Sequence, residues 1–250
     1  SCNIHIHEKS PKLIKEQKKK INFKNAKWIK NLKKLNKAPT IFLANEFFDA
    51  LPIKQFYKNK GIWFEKFVHV ANNKKLKFIY EKFDIKKLEK KVNFKISSNQ
   101  NFIEFSPLGF NYFKDIFNII RKNDGGLLII DYGYLNKKMR DTLQAIYKQK
   151  YGKVLKNICK SDITYNINFH QINQIIKNFK GLKKNLTSQK RFLSKLGINE
   201  RAEIIGKNKT FAQKVDIYYR LKRLIDNKEM GDLFKVMLIK RSDNNFQIGF

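Results

Sequence analysis

The sequence predicts an α/β protein with a largely parallel sheet and a β-rich insertion. Three observations predict it. Two apolar runs of strand length, Thr40–Ala44 and Leu127–Ile130, lack polar alternation, the pattern of buried parallel strands. Two Ser-Pro pairs, Ser10-Pro11 and Ser106-Pro107, supply an N-cap and a first helical residue for helices that lie between strands. Residues 56–105 change texture, to aromatic-rich stretches parted by turn residues, as in antiparallel hairpins.

The elements follow in order. Asn3-Ile4-His5-Ile6-His7-Glu8 alternates and suits a short strand ending in an acid. Ser10 caps a helix from Pro11 to about Lys20, with Leu13, Ile14 and Gln17 facing inward. Lys27-Trp28-Ile29 suits another short strand and Thr40–Ala44 the next, giving β-α-β-β with crossovers suited to a parallel sheet. Hairpin strands are expected at Phe56-Tyr57, Ile62–Val70 and Leu76–Tyr80, with turns at Lys58–Gly61 and Ala71–Lys75. Ser106 caps a helix to about Lys122, and its stripe of Phe110, Phe113, Ile116, Phe117 and Ile120 is core packing. Asp124-Gly125-Gly126 ends that helix, and the strand Leu127–Ile130 ends in Asp131-Tyr132-Gly133-Tyr134. A polar, irregular stretch follows. Then come a helix at Phe169–Phe179, a strand at Leu182–Thr187, helices at Ser188–Leu196, Asn199–Ile205 and Thr210–Ile225, and a last strand at Leu233–Ile239. Residues 1–55 and 106–250 thus form two parts of one core, with 56–105 inserted between them.

The chain has 250 residues, 42% of them hydrophobic, enough to bury a core. No apolar run approaches the length of a membrane-spanning helix, and no secretory apolar region opens the chain. Cys2 and Cys159 make no disulfide framework, so a reducing compartment fits, the bacterial cytoplasm or alternatively the mitochondrial matrix. The net charge is +33, from 54 basic and 21 acidic residues. Such a charge suits a polyanion partner. Yet the lysines are spread along the whole chain, densest over Lys15–Lys37, and arginines are few. Lys, Asn, Ile and Phe dominate, as AT-rich codons dictate, so composition explains the charge better than a dedicated nucleic-acid surface. Non-specific polyanion binding at low salt is expected either way.

The chemistry gathers at strand ends, the edge at which open α/β sheets bind ligands. Glu8 ends the first strand, where an acid can accept hydrogen bonds from ribose hydroxyls or stand solvated. His5 and His7 are strand residues, and no carboxylate or Cys spacing supports a metal site. Asn45, Glu46 and Asp49 follow the Thr40–Ala44 strand. Two acids there can orient a guanidinium through bidentate hydrogen bonds; otherwise Asp49 caps a turn and Glu46 makes an ion pair. Asp131-Tyr132-Gly133 is a second strand-end group, with Gly133 permitting a tight turn near a ligand. Asp162 and Thr164 either line a cleft or cap.

Longer patterns resemble one family, the MidA-type methyltransferases. They include Glu8-x-Ser10-Pro11-x-Leu13-x-x-x-Gln17 and Ala44-Asn45-Glu46-Phe47-Phe48-Asp49-Ala50-Leu51-Pro52-Ile53-x-Gln55-Phe56. Gly126-x-x-x-Ile130-Asp131-Tyr132-Gly133, Asp141–Ala145, Asp162-x-Thr164 with Asn168-Phe169, and Thr187-x-Gln189-x-x-Phe192-Leu193-x-x-Leu196-Gly197-Ile198 continue it. Met230-Gly231-x-Leu233-Phe234-Lys235-Val236 completes the series, in the family's order over nearly the whole chain. The resemblance implies a class I, Rossmann-like methyltransferase sheet and S-adenosylmethionine as cofactor, held by Glu8, Ser10 and Asn45. It implies Glu46, Asp49 and Asn45 as catalytic residues and Asp131, Tyr132, Asp162 and Thr164 as substrate-binding ones. It further implies a protein arginine as acceptor, on a subunit of respiratory complex I whose assembly the family serves. One departure stands out. The glycine-rich loop that follows the family's first strand is absent, since Gly125-Gly126 precedes a strand instead of following one. The expectation is therefore a core lacking its first strand, an N-terminally truncated chain that binds cofactor poorly alone. The rival readings are a non-catalytic assembly or binding protein on the same fold and a basic RNA-binding protein.

Overall fold

The computed structural model describes residues 2–32, 35, 37–72 and 75–250. The first unit is β1 (Ile4–His7), α1 (Pro11–Lys20) and β2 (Ala26–Ile29). β1 and β2 pair in parallel from Ile4↔Ala26 to His7↔Ile29. Ser10 caps α1, its Oγ accepting from the Leu13 amide at 3.3 Å, and Pro11 is the first helical residue. α1 buries no residue completely, and Leu13 is 51% exposed, not inward. The inward line is Ile14 and Gln17, both half-buried, with Gln17 Oε1 accepting from Trp28 Nε1 of β2 at 2.9 Å. A two-stranded sheet is too narrow to cover a second line of side chains.

β3 (Thr40–Asn45) turns through residues 46–53 into β4 (Lys54–Asn59), β5 (Ile62–Val70) and β6 (Leu76–Lys82). α2 (Ile85–Val92) and β7 (Phe102–Phe105) follow. The four strands β4 to β7 form an antiparallel sheet in the order β6-β5-β4-β7. The expected turn at Ala71–Lys75 includes residues 73 and 74, which lie outside the described residues. α3 (Pro107–Asn123) then lays Phe113, Ile116, Phe117 and Ile120 into the core, and β8 (Gly125–Tyr134) follows.

The stretch expected to be irregular holds β9 (Gln144–Tyr147), β10 (Lys150–Gly152) and β11 (Asp162–Thr164), an antiparallel sheet in the order β10-β9-β11. After it come β12 (Ile167–Asn168), α4 (Phe169–Lys177), β13 (Leu182–Ser188), α5 (Gln189–Lys195), α6 (Ile198–Gly206), α7 (Phe211–Ile225), α8 (Met230–Leu233) and β14 (Phe234–Arg241).

β8 is the axis of the main sheet. β3 pairs with it in parallel along one edge, Thr40↔Gly125 to Asn45↔Ile130, and β12 continues that edge at Ile167↔Gly133. β14 runs antiparallel along the other edge, and β13 lies outside β14. The sheet is therefore mixed: β3, β8, β12 and β13 share one direction and β14 opposes them. Two glycines of β8 permit the close approaches. A Cβ on Gly125, at φ 106°, would lie 2.0 Å from the Thr40 carbonyl oxygen, and one on Gly133 would lie 2.1 Å from that of Ile167. Gly133 thus serves strand contact, not the tight turn expected of it.

β3 is covered on one face only. Ala44 is buried and Phe42 half-buried, whereas Ile41 and Leu43 are 83% and 69% exposed. Among the described residues no strand pairs with the outer edge of β3 or with the free edge of β1. Both edges are open among the described residues.

Gly133→Ala should push β12 off β8. The expected loss is about 2 kcal/mol or more, on the scale of other core steric clashes. Urea unfolding of the variant against the parent measures it.

Candidate active site

The turn after β3 is held from several sides. Its first residue, Glu46, continues the ladder, the amide donating to Ile130 O at 2.9 Å, and its backbone is left-handed with φ 45°. That conformation is uncommon for a residue with a Cβ and is retained only where surrounding structure imposes it. The next anchor is Asp131. Its Oδ2 accepts from the amides of Phe48 and Asp49 at 3.2 and 3.3 Å, and its Oδ1 from that of Tyr132 at 3.0 Å. Tyr165 N donates to Asp49 O at 3.2 Å, and Ser106 Oγ to Pro52 O at 2.9 Å.

This placement corrects the expectation for Asp131. It lies within β8, not at a strand end, and is fully buried with its carboxyl committed to backbone amides. It positions the turn and does not face a substrate. Burial and the neighbouring Asp49 raise its pKa to about 8, against the weaker pull of the three amides. Burial also raises Asp49, opposed by the Tyr132 hydroxyl and the Ala50 amide and reinforced by Asp162. Burial raises both carboxyls and the charge of Asp49 raises Asp131 further, so the pair resists double ionisation.

Asp49 is 3% exposed, and its Oδ1 has no hydrogen-bond partner among the described residues. The Tyr132 hydroxyl faces both Asp49 and Thr164. Burial and Asp49 raise the Tyr132 pKa, so the phenol stays protonated. Thr164 is buried in β11 and also accepts from Gln144 Nε2 of β9 at 3.1 Å. Asp162, two residues earlier on the same strand, is exposed. Asp49, Tyr132, Thr164 and Asp162 are therefore brought to one place, together with Gln144 and Tyr165, which the sequence reading missed. Asn45 and Glu46 are exposed at the end of β3, and neither side chain has a hydrogen bond or ion pair among the described residues.

Glu8 sits just past β1. Its Oε1 accepts from the amides of Lys9 and Ser10, both at 2.8 Å, and its Oε2 lies 3.4 Å from Gln17 Nε2. Ser10 caps α1, its Oγ accepting from the Leu13 amide, which leaves its O–H as a donor. The neighbouring His7 is hydrogen-bonded through Nε2 to the Tyr112 hydroxyl at 2.8 Å. His7, Tyr112 and Phe47 form an edge-to-face cluster with centroids 5.3 to 6.4 Å apart. Phe47 follows Glu46 and His7 precedes Glu8, so β1 and β3 end at the same edge of the molecule.

A family of proteins described as putative S-adenosyl-L-methionine-dependent methyltransferases has a family model that matches residues 1–187. The chain belongs to this family. A Caenorhabditis elegans relative, the mitochondrial protein arginine methyltransferase NDUFAF7 homolog, is 25% identical over 221 residues, 80% of this chain and 52% of that protein. The Xenopus tropicalis mitochondrial protein arginine methyltransferase NDUFAF7 is 24% identical over 264 residues, covering 94% and 60%. The chain spans about half the length of such relatives. A crystal structure of a Burkholderia thailandensis protein bound to S-adenosyl-homocysteine superposes with a TM-score of 0.81 at 20% identity, over 99% of this chain and 66% of that one. A native crystal structure from the same organism matches equally well in TM-score, 0.81, at 21% identity. The fold is therefore the family's α/β methyltransferase fold, as the resemblance implied.

The sign of the Asp131 shift gives a pH prediction. A free aspartate titrates near about 3.9, so folding strengthens proton binding. The stability tied to that proton is present in full below about pH 4 and is lost as pH rises through about 8. Asp131→Asn, a permanent stand-in for the protonated form, should flatten the decline. Melting temperatures of the parent and the variant from pH 4 to 8 give the comparison, and parallel curves would contradict the assignment.

Proposed function

We propose that this chain carries the acceptor side, and the ribose end of the cofactor side, of an S-adenosylmethionine-dependent methyltransferase that acts on a protein arginine. One observation carries the reading: a buried, unpartnered Asp49 oxygen beside Tyr132 and Thr164, at the C-terminal end of the parallel pair β3 and β8. The names of the relatives support the arginine acceptor. The resemblance to the MidA type supports a complex I subunit as the protein that bears it. Relatives named mitochondrial support a matrix location, and among the described residues no helix is long and apolar enough to cross a membrane. In this reading the sheet formed by β4 to β7 is an insertion, over about 56–105, into the methyltransferase core.

The cofactor fits at one end. Glu8, braced by two amides and Gln17, offers a carboxylate for a ribose diol, and Asn45 is open at the adjoining strand end. The described residues offer no glycine cradle for the methionine end, and the resemblance implies that the family's first strand would fill a seam between the open edges of β1 and β3. We infer that a strand from outside these 250 residues enters it.

Bound cofactor would supply a methyl group on a sulfonium centre. The chain's own residues would hold and activate the acceptor. One proton on the pair leaves a single anion, and a cationic guanidinium beside Asp49 would draw that charge to Asp49. Asp49 and Glu46 orient the guanidinium by charge-assisted hydrogen bonds, which concentrates electron density on the reacting nitrogen. Asp49 also receives the proton that methylation displaces from that nitrogen. Tyr132 and Thr164 fix Asp49, and the aromatic cluster of His7, Phe47 and Tyr112 ties the turn to Glu8.

Two measurements test the proposal. Calorimetry with S-adenosyl-homocysteine should show weak binding or none for the 250-residue chain and clear binding for the full gene product. Tight binding by the short chain would overturn the seam assignment. No binding by the full product would favour a non-catalytic protein, a reading that the missing glycine cradle supports. In the full product, Glu46→Gln and Asp49→Asn should each lower single-turnover methylation of an arginine-containing protein by roughly a hundredfold, the scale of one preorganised electrostatic contact. Cofactor affinity should hold in both and fall in Glu8→Gln. Parent-like turnover in Glu46→Gln and Asp49→Asn would remove those residues from the reaction.

A further inference from the structure

The helices α6 and α7 meet at a tight connection, residues 207–210, flanked by exposed apolar side chains. Ile204 at the end of α6 is 75% exposed and Phe211 at the start of α7 is 84% exposed. Ile205 beside them is 45% exposed. Lys207, Lys209 and Lys214 flank these residues in sequence, and the acid next to them is the exposed Glu203 of α6. The next acid along the chain, Asp216, is paired with Arg220 at 2.9 Å.

The tip is a built feature. Thr210 and Gln213 form a reciprocal capping box, with Gln213 N donating to Thr210 Oγ at 3.4 Å and Thr210 N to Gln213 Oε1 at 3.1 Å. Lys209 N donates to Gly206 O at 3.1 Å, closing the turn, and Gly206 is buried against the stem of Lys214. The apolar side chains are therefore displayed on fixed backbone.

We propose that this tip is a peripheral docking site for an anionic membrane surface. Aliphatic and phenyl side chains at a convex tip can enter the boundary between headgroups and acyl chains. Three lysines against one acid, Glu203, leave the tip cationic and attracted to anionic headgroups. Their charge matches the bilayer surface, and the Ile-Ile-Phe apex matches the layer beneath it. Ile side chains offer no planar face for stacking on a base, which disfavours a single-stranded nucleic acid. This proposal does not depend on the proposed methyl transfer.

Sedimentation with vesicles tests it on the intact chain. In about 0.1 M salt, where attraction between charges far apart is already screened, the protein should pellet with phosphatidylcholine vesicles containing phosphatidylserine and stay in solution with phosphatidylcholine alone. The double variant Ile204→Ser, Phe211→Ser should weaken that partitioning about tenfold or more while melting as the parent does. Tyr151→Ser, at an exposed aromatic residue on another sheet, should change nothing. Substituting Lys207, Lys209 and Lys214 together by Gln should remove the preference for anionic vesicles. Parent-like partitioning by the double variant would overturn the proposal and leave only the diffuse net charge. Loss of RNA-oligonucleotide retention or of self-association in that variant, with vesicle binding intact, would assign the tip to those partners instead.

Discussion

The site depends on one buried carboxyl. Parallel strands cannot be joined by a short hairpin, so the chain leaving β3 has no neighbouring strand to pair the amides of Phe48 and Asp49. Asp131, inside β8, accepts from both. Buried amides left without partners would cost on the order of a few kcal/mol each, so the clasp and the turn are formed together or not at all. The consequence is chemical as well as structural. The clasp puts a second carboxyl beside Asp49, and burial raises the proton affinity of both.

A second polar network steadies the site from the antiparallel sheet. Gln55 of β4 is its hub: its Nε2 donates to Glu104 and to Asp141, both at 2.8 Å, and its Oε1 accepts from Lys66 at 2.9 Å. Glu104 in turn accepts from the Thr142 hydroxyl at 2.5 Å and the Thr142 amide at 3.0 Å. Thr142 leads into β9, where Gln144 holds Thr164, and Thr164 faces Tyr132. The sheet expected as an insertion is therefore joined by hydrogen bonds through Thr142 and Gln144 to β9 and β11.

Much of this was legible where local chemistry decides structure. The Ser-Pro caps fixed the starts of α1 and α3, and periodicity found α4, α5, α6 and α7 and the strands β13 and β14 to within a few residues. What escaped was decided by contacts distant in sequence. β7 and the strands β9 to β12 are two to four residues long and exist through their partners, so no window of sequence carries them. Asp131 looked like a strand-end ligand because nothing in the sequence reveals that β8 runs on to Tyr134. β3 looked doubly covered because Ile41 and Leu43 are apolar, yet nothing described here lies over them. The cluster around Asp49 was legible in its members, through the motif residues Asp49, Tyr132, Asp162 and Thr164, but not in their meeting. Gln144 and Tyr165 carry no signal of their own.

The composition bears on the same question from another side. The chain has 54 basic and 21 acidic residues, yet among the described residues four acids are buried, Asp49, Glu65, Glu104 and Asp131, and a single lysine, Lys240. A compositional drift towards lysine acts freely on solvent-facing positions, where exchanging one polar residue for another changes stability little. It cannot act on a carboxyl that receives backbone amides in the interior, because a cation there would face the same donors with no acceptor to offer. The acids that persist inside therefore mark positions where structure requires a carboxyl. Glu65 pairs with Lys54 at 2.5 Å, Glu104 holds Thr142, and Asp131 holds the turn. Asp49 is satisfied only in part: the Tyr132 hydroxyl and the Ala50 amide face its carboxyl, but its Oδ1 has no donor among the described residues. A buried acid with a structural duty is explained by its partners. Under the proposed function, the acceptor guanidinium would be the donor that Asp49 Oδ1 lacks among the described residues.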